Sequence, residues 1–154
     1  MIGTVSTGCL APAVERLLLD VLTDGFTVFC CGPKAAPTAL VARYDWPDCI
    51  DLITIRDFNR ITAARLPKRG DVDVFTPEIV VWAYEGTPQF TLRALLNLVH
   101  PQHPDAPHDE YPAPRSLHIR RAEQRPMTVR LPSPGLTEAR ARRLAPTRGA
   151  HRSG

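Results

Sequence analysis

EIVVWAYEGTPQFTLRALLNLVH, residues Glu78 to His100, reads as a buried strand, a short break and an apolar helix. Ile79 to Tyr84 form a β-prone run with no charge inside it, the pattern of a central strand. Gly86 interrupts the run, Thr87 suits an N-cap, and Pro88 fits the first helical position, where a missing N–H costs nothing. Leu92, Leu95, Leu96 and Val99 then recur at i, i+3, i+4 and i+7, with Phe90 and Leu98 beside them. Arg93 is the one charge before His100, so the helix is expected deep in the core. This stretch predicts architecture and carries no chemistry.

Upstream, Pro12 opens a second amphipathic helix, with Val14, Leu17, Leu18, Val21 and Leu22 on one face and Glu15, Arg16 and Asp20 on the other; Asp24-Gly25 stops it. Its acidic polar face suits a helix that covers a sheet better than one that lies on a membrane. Phe26 to Cys31 is apolar on both faces and reads as a strand. Thr38 to Trp46 alternates, with Leu40, Ala42, Tyr44 and Trp46 on one face and Val41, Arg43 and Asp45 on the other. Cys49 to Arg56 is a further strand, and Arg60 to Leu66 is favoured as a strand over a short helix. The short loops between these strands predict antiparallel hairpins.

The fold class is therefore α+β: an antiparallel sheet of four to five strands, with two helices packed on one face, in the order α-β-β-β-β-β-α. A single domain over 10–100 accounts for these elements, a length that permits a sizeable core. Residues 101–114 hold five prolines and read as a Pro/His-rich linker. Residues 115–154 read as an Arg-rich, mostly disordered tail. Within it, Leu117–Ile119 and Met127–Leu131 are β-like, so an edge strand near 127–131 is a candidate, and Leu136–Leu144 reads as at most a transient helix.

Charge is distributed unevenly. Residues 1–114 carry nine basic and fourteen acidic side chains, whereas 115–154 carry ten arginines against Glu123 and Glu138. A basic arm on an acidic body can bind phosphates by counterion release, which makes Arg115, Arg120, Arg121, Arg140, Arg142 and Arg143 candidate nucleic-acid contacts. No aromatics interleave those arginines, so base stacking is not offered. The same arm can lie against its own body.

Catalytic patterns are missing. The chain has no Gly-x-Ser-x-Gly elbow, no phosphate-binding glycine loop and no cysteine pair at CxxC spacing. Cys9, Cys30, Cys31 and Cys49 read as buried free thiols. No apolar run is long enough to span a membrane, and no basic or apolar leader precedes Ser6-Thr7-Gly8-Cys9, so a cytoplasmic location is expected. His100, His103 and His108 are metal-capable, but the prolines between them splay an extended path, so no metal or other cofactor is assigned. A metal-dependent hydrolase would need Asp45, Asp48, Asp51 and Glu85 to converge; turn aspartates are the simpler reading. Tyr44 and Trp46 share a strand face, as do Trp82 and Tyr84. If those two strands are neighbours, the four aromatics form one patch, which is a partner-binding surface on the sheet face away from the helices, whereas under the helices at least the two tryptophans belong to the core. The function these features favour is a non-enzymatic accessory or protein-interaction module that binds another protein. A nucleic-acid-associated protein using the arginine tail comes second, and an unrecognised metal-dependent hydrolase third.

Overall fold

The computed structural model describes residues 12–33, 36–57 and 59–146. Helix α1 (Pro12–Thr23) buries Leu17, Leu18 and Val21. It ends at Gly25, whose φ of 91° supplies the left-handed turn into strand β1 (Thr27–Cys31). Strands β2 (Ala39–Asp45), β3 (Cys49–Asp57) and β4 (Arg60–Pro67) follow as antiparallel neighbours, each paired to the one before. The expected alternation in β2 holds, with Leu40, Ala42, Tyr44 and the following Trp46 in one core cluster and Val41 in another.

The Glu78–His100 stretch departs from its sequence reading in two respects. Its strand is divided at Val81: β5 (Ile79–Val80) turns away to pair with β7 (Tyr111–Pro112), and only β6 (Trp82–Gly86) joins the main sheet. The full order is β6-β4-β3-β2-β1 and then β8 (Met127–Arg130), so the expected central strand is an edge. Helix α2 (Pro88–Leu96) is also shallower than expected: Thr91, Leu92 and Leu95 are buried, while Phe90 is 59% exposed. An edge strand gives the helix after it sheet to cover on one side only.

The sheet has six strands because β8 (Met127–Arg130) pairs antiparallel with β1. One face is covered by α1, α2 and a third helix, α3 (Leu136–Leu144). The other face is closed without α-helices, by Val74, Val80, Ile119 and Leu117, the last from a short 3-10 helix (Arg115–Leu117), packed over Val41, Ile50, Leu52, Ala64 and Leu66.

The expectation of a mostly disordered tail needs correcting over 115–146. Leu117 and Ile119 are fully buried, worth about 1.5–3 kcal/mol each relative to exposure. The Ile119 N–H donates to Phe75 O at 2.7 Å, and Arg56 holds Glu123 at 2.8 Å. In the linker, Pro101 and Pro104 sit in turns and Pro112 lies in β7. The remainder of the tail, including Arg148 and Arg152, and Cys9 at the other end, lie outside the described residues.

Candidate functional site

Two inward positions of the sheet carry charge. Asp51 on β3 and Arg65 on β4 are directly opposite each other on the helix-covered face, and each is essentially inaccessible to water. Arg65 Nε donates to Asp51 Oδ1 at 2.7 Å and Arg65 Nη2 donates to Oδ2 at 3.1 Å, a two-pronged pairing. Trp46 Nε1 donates to the same Oδ2 at 2.9 Å, and Arg65 Nη1 reaches Val99 O at 2.8 Å.

A second arginine completes the network from outside the sheet. Arg140, on α3, is fully buried; its Nη2 donates to Asp51 Oδ2 at 3.2 Å and its Nε to Asp24 Oδ2 at 2.9 Å. Its guanidinium carbon lies 4.4 Å from the Tyr44 ring centre, 5.0 Å from Phe26 and 5.3 Å from Trp46. Three aromatic faces and two carboxylates thus surround one cation, the arrangement that favours a desolvated guanidinium. Arg143 adds a bond to Asp24 at 2.8 Å, and the Tyr44 hydroxyl donates to Thr137 O at 2.6 Å.

This arrangement perturbs its neighbours. Burial raises the Tyr44 hydroxyl above its ordinary range, although the Arg140 charge opposes the shift. Burial against Trp46, whose ring centre is 4.7 Å away, lowers the His100 imidazole below its ordinary value, and repulsion from Arg65 and Arg140 adds to this. Neutral His100 accepts the Gln102 N–H at Nδ1, 3.0 Å away. Below about pH 6.5 the unfolded chain takes up a proton at this position that the folded chain resists. His100 therefore contributes stability in full above that pH and loses it as pH falls toward the depressed folded value. A His100→Gln variant should show a shallower fall in thermal midpoint between about pH 7 and pH 5 than the wild type; parallel curves would mean that His100 stays solvated.

The aromatic residues singled out from sequence divide into two groups. Tyr44 and Trp46 are only 2% and 3% exposed, on the face covered by helices. Trp82 is half-buried and Tyr84 is 42% exposed on β6, with β3 and β4 lying between the two strands. The four side chains do not form one surface. Tyr84 flanks Gly86 instead: a Cβ placed on Gly86 would lie 3.2 Å from the Tyr84 ring and 3.3 Å from the Thr91 hydroxyl of α2.

The candidate arginines are also separated. Arg115, Arg120, Arg121, Arg142 and Arg143 are exposed, whereas Arg140 is buried. Arg120 lies near Glu123, Arg130 near Glu15, and Arg143 on Asp24, so part of the basic arm is held against acidic groups.

The acidic residues proposed for a hydrolytic site each have another environment. Asp51 serves the buried network, Glu85 pairs with Arg60, and Asp48 accepts from Gln102. Burial would raise the Asp45 carboxyl, but Arg43 and Lys68 outweigh it and hold the group below its usual range. No group of three or more histidine, cysteine or acidic side chains is placed to hold a metal ion among the described residues, and His100, His103 and His108 are not drawn together. Burial pushes the Cys31 thiol up to about 11 and Cys49 to about 12, which suppresses thiolate chemistry at both. Among the described residues, no helix is long and apolar enough to cross a membrane.

Sequence reasoning missed the roles of Asp24, Phe26, Arg65 and Phe90. A signal for Arg65 and Asp51 was present, since each interrupts an apolar strand at a core-facing position, where an unpaired charge is too costly to keep. Arg140 had no such local signal. The chain matches no protein-family model, no curated protein and no solved structure.

Proposed function

We propose that this chain is a non-enzymatic protein-interaction module. Its partner adds an extended segment to the β6 edge and places apolar side chains against Tyr84, Phe90 and the accessible part of Trp82. The observation that carries this reading is the contrast between the two sheet edges. β8 has four residues, with Pro126 before it and Pro132 just beyond it, which are common guards against strand addition. β6 has five residues with no proline and has β4 as its one strand neighbour. Tyr84 on β6 and Phe90 in the first turn of α2 are large apolar groups left in water.

Peptides selected from a random display library on the wild-type chain should share an extended apolar pattern. They should bind a Tyr84→Ser/Phe90→Ser variant at least about tenfold more weakly, the loss expected from removing central aromatic contacts. Peptides that bind both proteins equally would reject the β6 surface. The nucleic-acid reading would rest on the exposed Arg115, Arg121, Arg125 and Arg142, and would gain support only from binding that weakens steeply with salt.

A further inference from the structure

We infer that the cage formed by Asp24, Phe26, Tyr44, Trp46 and Asp51 is a guanidinium-binding site in its own right. Arg140 is its resident ligand, and α3 is the releasable strap that delivers it. An arginine side chain on another protein chain is the competing ligand that the site would accept.

The receptor and the ligand belong to separable parts of the chain. Every wall of the cage comes from the α1 terminus or from β1, β2 and β3 with their flanking turns, whereas the guanidinium comes from a nine-residue helix appended after the last strand. Arg140 is the single fully buried residue of α3. The connection to α3 runs through exposed Leu131, Ser133 and Pro134 to Gly135, whose φ of 88° makes a turn with open space around it. The other α3 attachments include Thr137 to Gly25 O at 2.9 Å, Tyr44 to Thr137 O, Arg143 to Asp24, the partly buried Ala141 and Leu144, and close packing of the Leu136–Thr137 backbone on Gly25.

The cage would keep its shape without the strap. Trp46 Nε1 and Arg65 fix Asp51 from within the sheet, so that carboxylate is positioned before Arg140 arrives. Asp24 differs: both of its ion pairs are to α3, so undocking leaves a carboxylate without those pairs at the mouth of an aromatic box. Preorganised walls with one uncompensated negative charge select a cation. The planar fork that spans Asp24 and Asp51 selects guanidinium over ammonium. The fit of Arg140 is also incomplete, because its Nη1 is buried with no hydrogen-bond partner, which weakens the resident ligand relative to one that brings its own acceptor.

The test uses the full chain carrying Arg140→Ala, titrated with ethylguanidinium, and with ethylammonium and urea as matched controls. Ethylguanidinium at ~20 mM should raise the thermal midpoint of the variant by about 3 °C or more, through binding to the folded state. Neither control should do so, and adding Asp24→Asn should abolish the rise. Equal responses to ethylguanidinium and ethylammonium, or an equal rise in the wild type, would overturn the assignment. Should the alanine variant not fold, amide exchange in the wild-type chain decides. Ethylguanidinium should speed exchange in α3 at least about threefold while leaving β3 and β4 unchanged, as expected for local release. Exchange in α3 that stays constant, or that rises together with β3 and β4, would reject a releasable strap.

Discussion

Asp51→Ala should lose about 3–5 kcal/mol of folding free energy in urea unfolding at neutral pH, the expected result of removing one partner from a buried ion network. The carboxylate accepts from Arg65, Arg140 and Trp46, and all three groups lie away from water. Without it, Arg65 keeps its bond to Val99 O and Arg140 keeps Asp24, but neither bond neutralises Arg65. Native stabilities are typically about 5–15 kcal/mol, so this one change could consume most of the margin. Asp51→Asn should recover little, because its amide N–H group would face the same donors. Asp51→Ala combined with Arg65→Met should cost less than the sum of the two single changes, since the pair then leaves together. A loss below about 1 kcal/mol for Asp51→Ala would mean that water reaches the network.

The same network shows why the fold was more legible than the site. Strand β2 was readable because a period of two is a local property: Leu40, Ala42, Tyr44 and Trp46 fall on one face whatever the neighbours do. The division at Val81 was not readable. Ile79 to Tyr84 contains no glycine, proline or charge, and the run is broken by pairing of β5 with Tyr111–Pro112, residues that composition assigns to a linker. An apolar run predicts burial, but it does not say which sheet receives each half.

For the tail, local composition misled for a definite reason. Leu136–Leu144 is a poor candidate for hydrophobic docking, having three arginines and a glutamate in nine residues. Its docking comes instead from Arg140 meeting Asp51 and Asp24, at sequence separations of 89 and 116. The +8 arm and the −5 body were visible, and so was their mutual attraction; which arginine would be withdrawn from water was not. Among the candidate site residues, Trp82 and Tyr84 lie where a partner can reach at least part of each. Tyr44 and Trp46 share one sheet face, as their spacing requires, and α1 and α3 cover that face.

Trp46→Ala should therefore behave as a core substitution, with a loss of about 3–5 kcal/mol. The indole packs on Tyr44 with ring centres 4.8 Å apart and on His100 at 4.7 Å, and it forms one wall around Arg140. Trp46→Phe separates shape from hydrogen bonding: it retains an aromatic wall but withdraws the Nε1–H from Asp51, and should cost about 1–3 kcal/mol. Trp82→Ala is the informative contrast, since that side chain is only partly buried, at the border of the helix-side core. It should unfold closer to the wild type, yet weaken any ligand that adds to β6. If Trp46 belonged to a partner surface, the order would reverse: Trp46→Ala would leave the urea midpoint unchanged and abolish peptide binding. Measuring both properties for both variants thus assigns each tryptophan to the interior or to the interface by opposite signatures, without needing the identity of the partner.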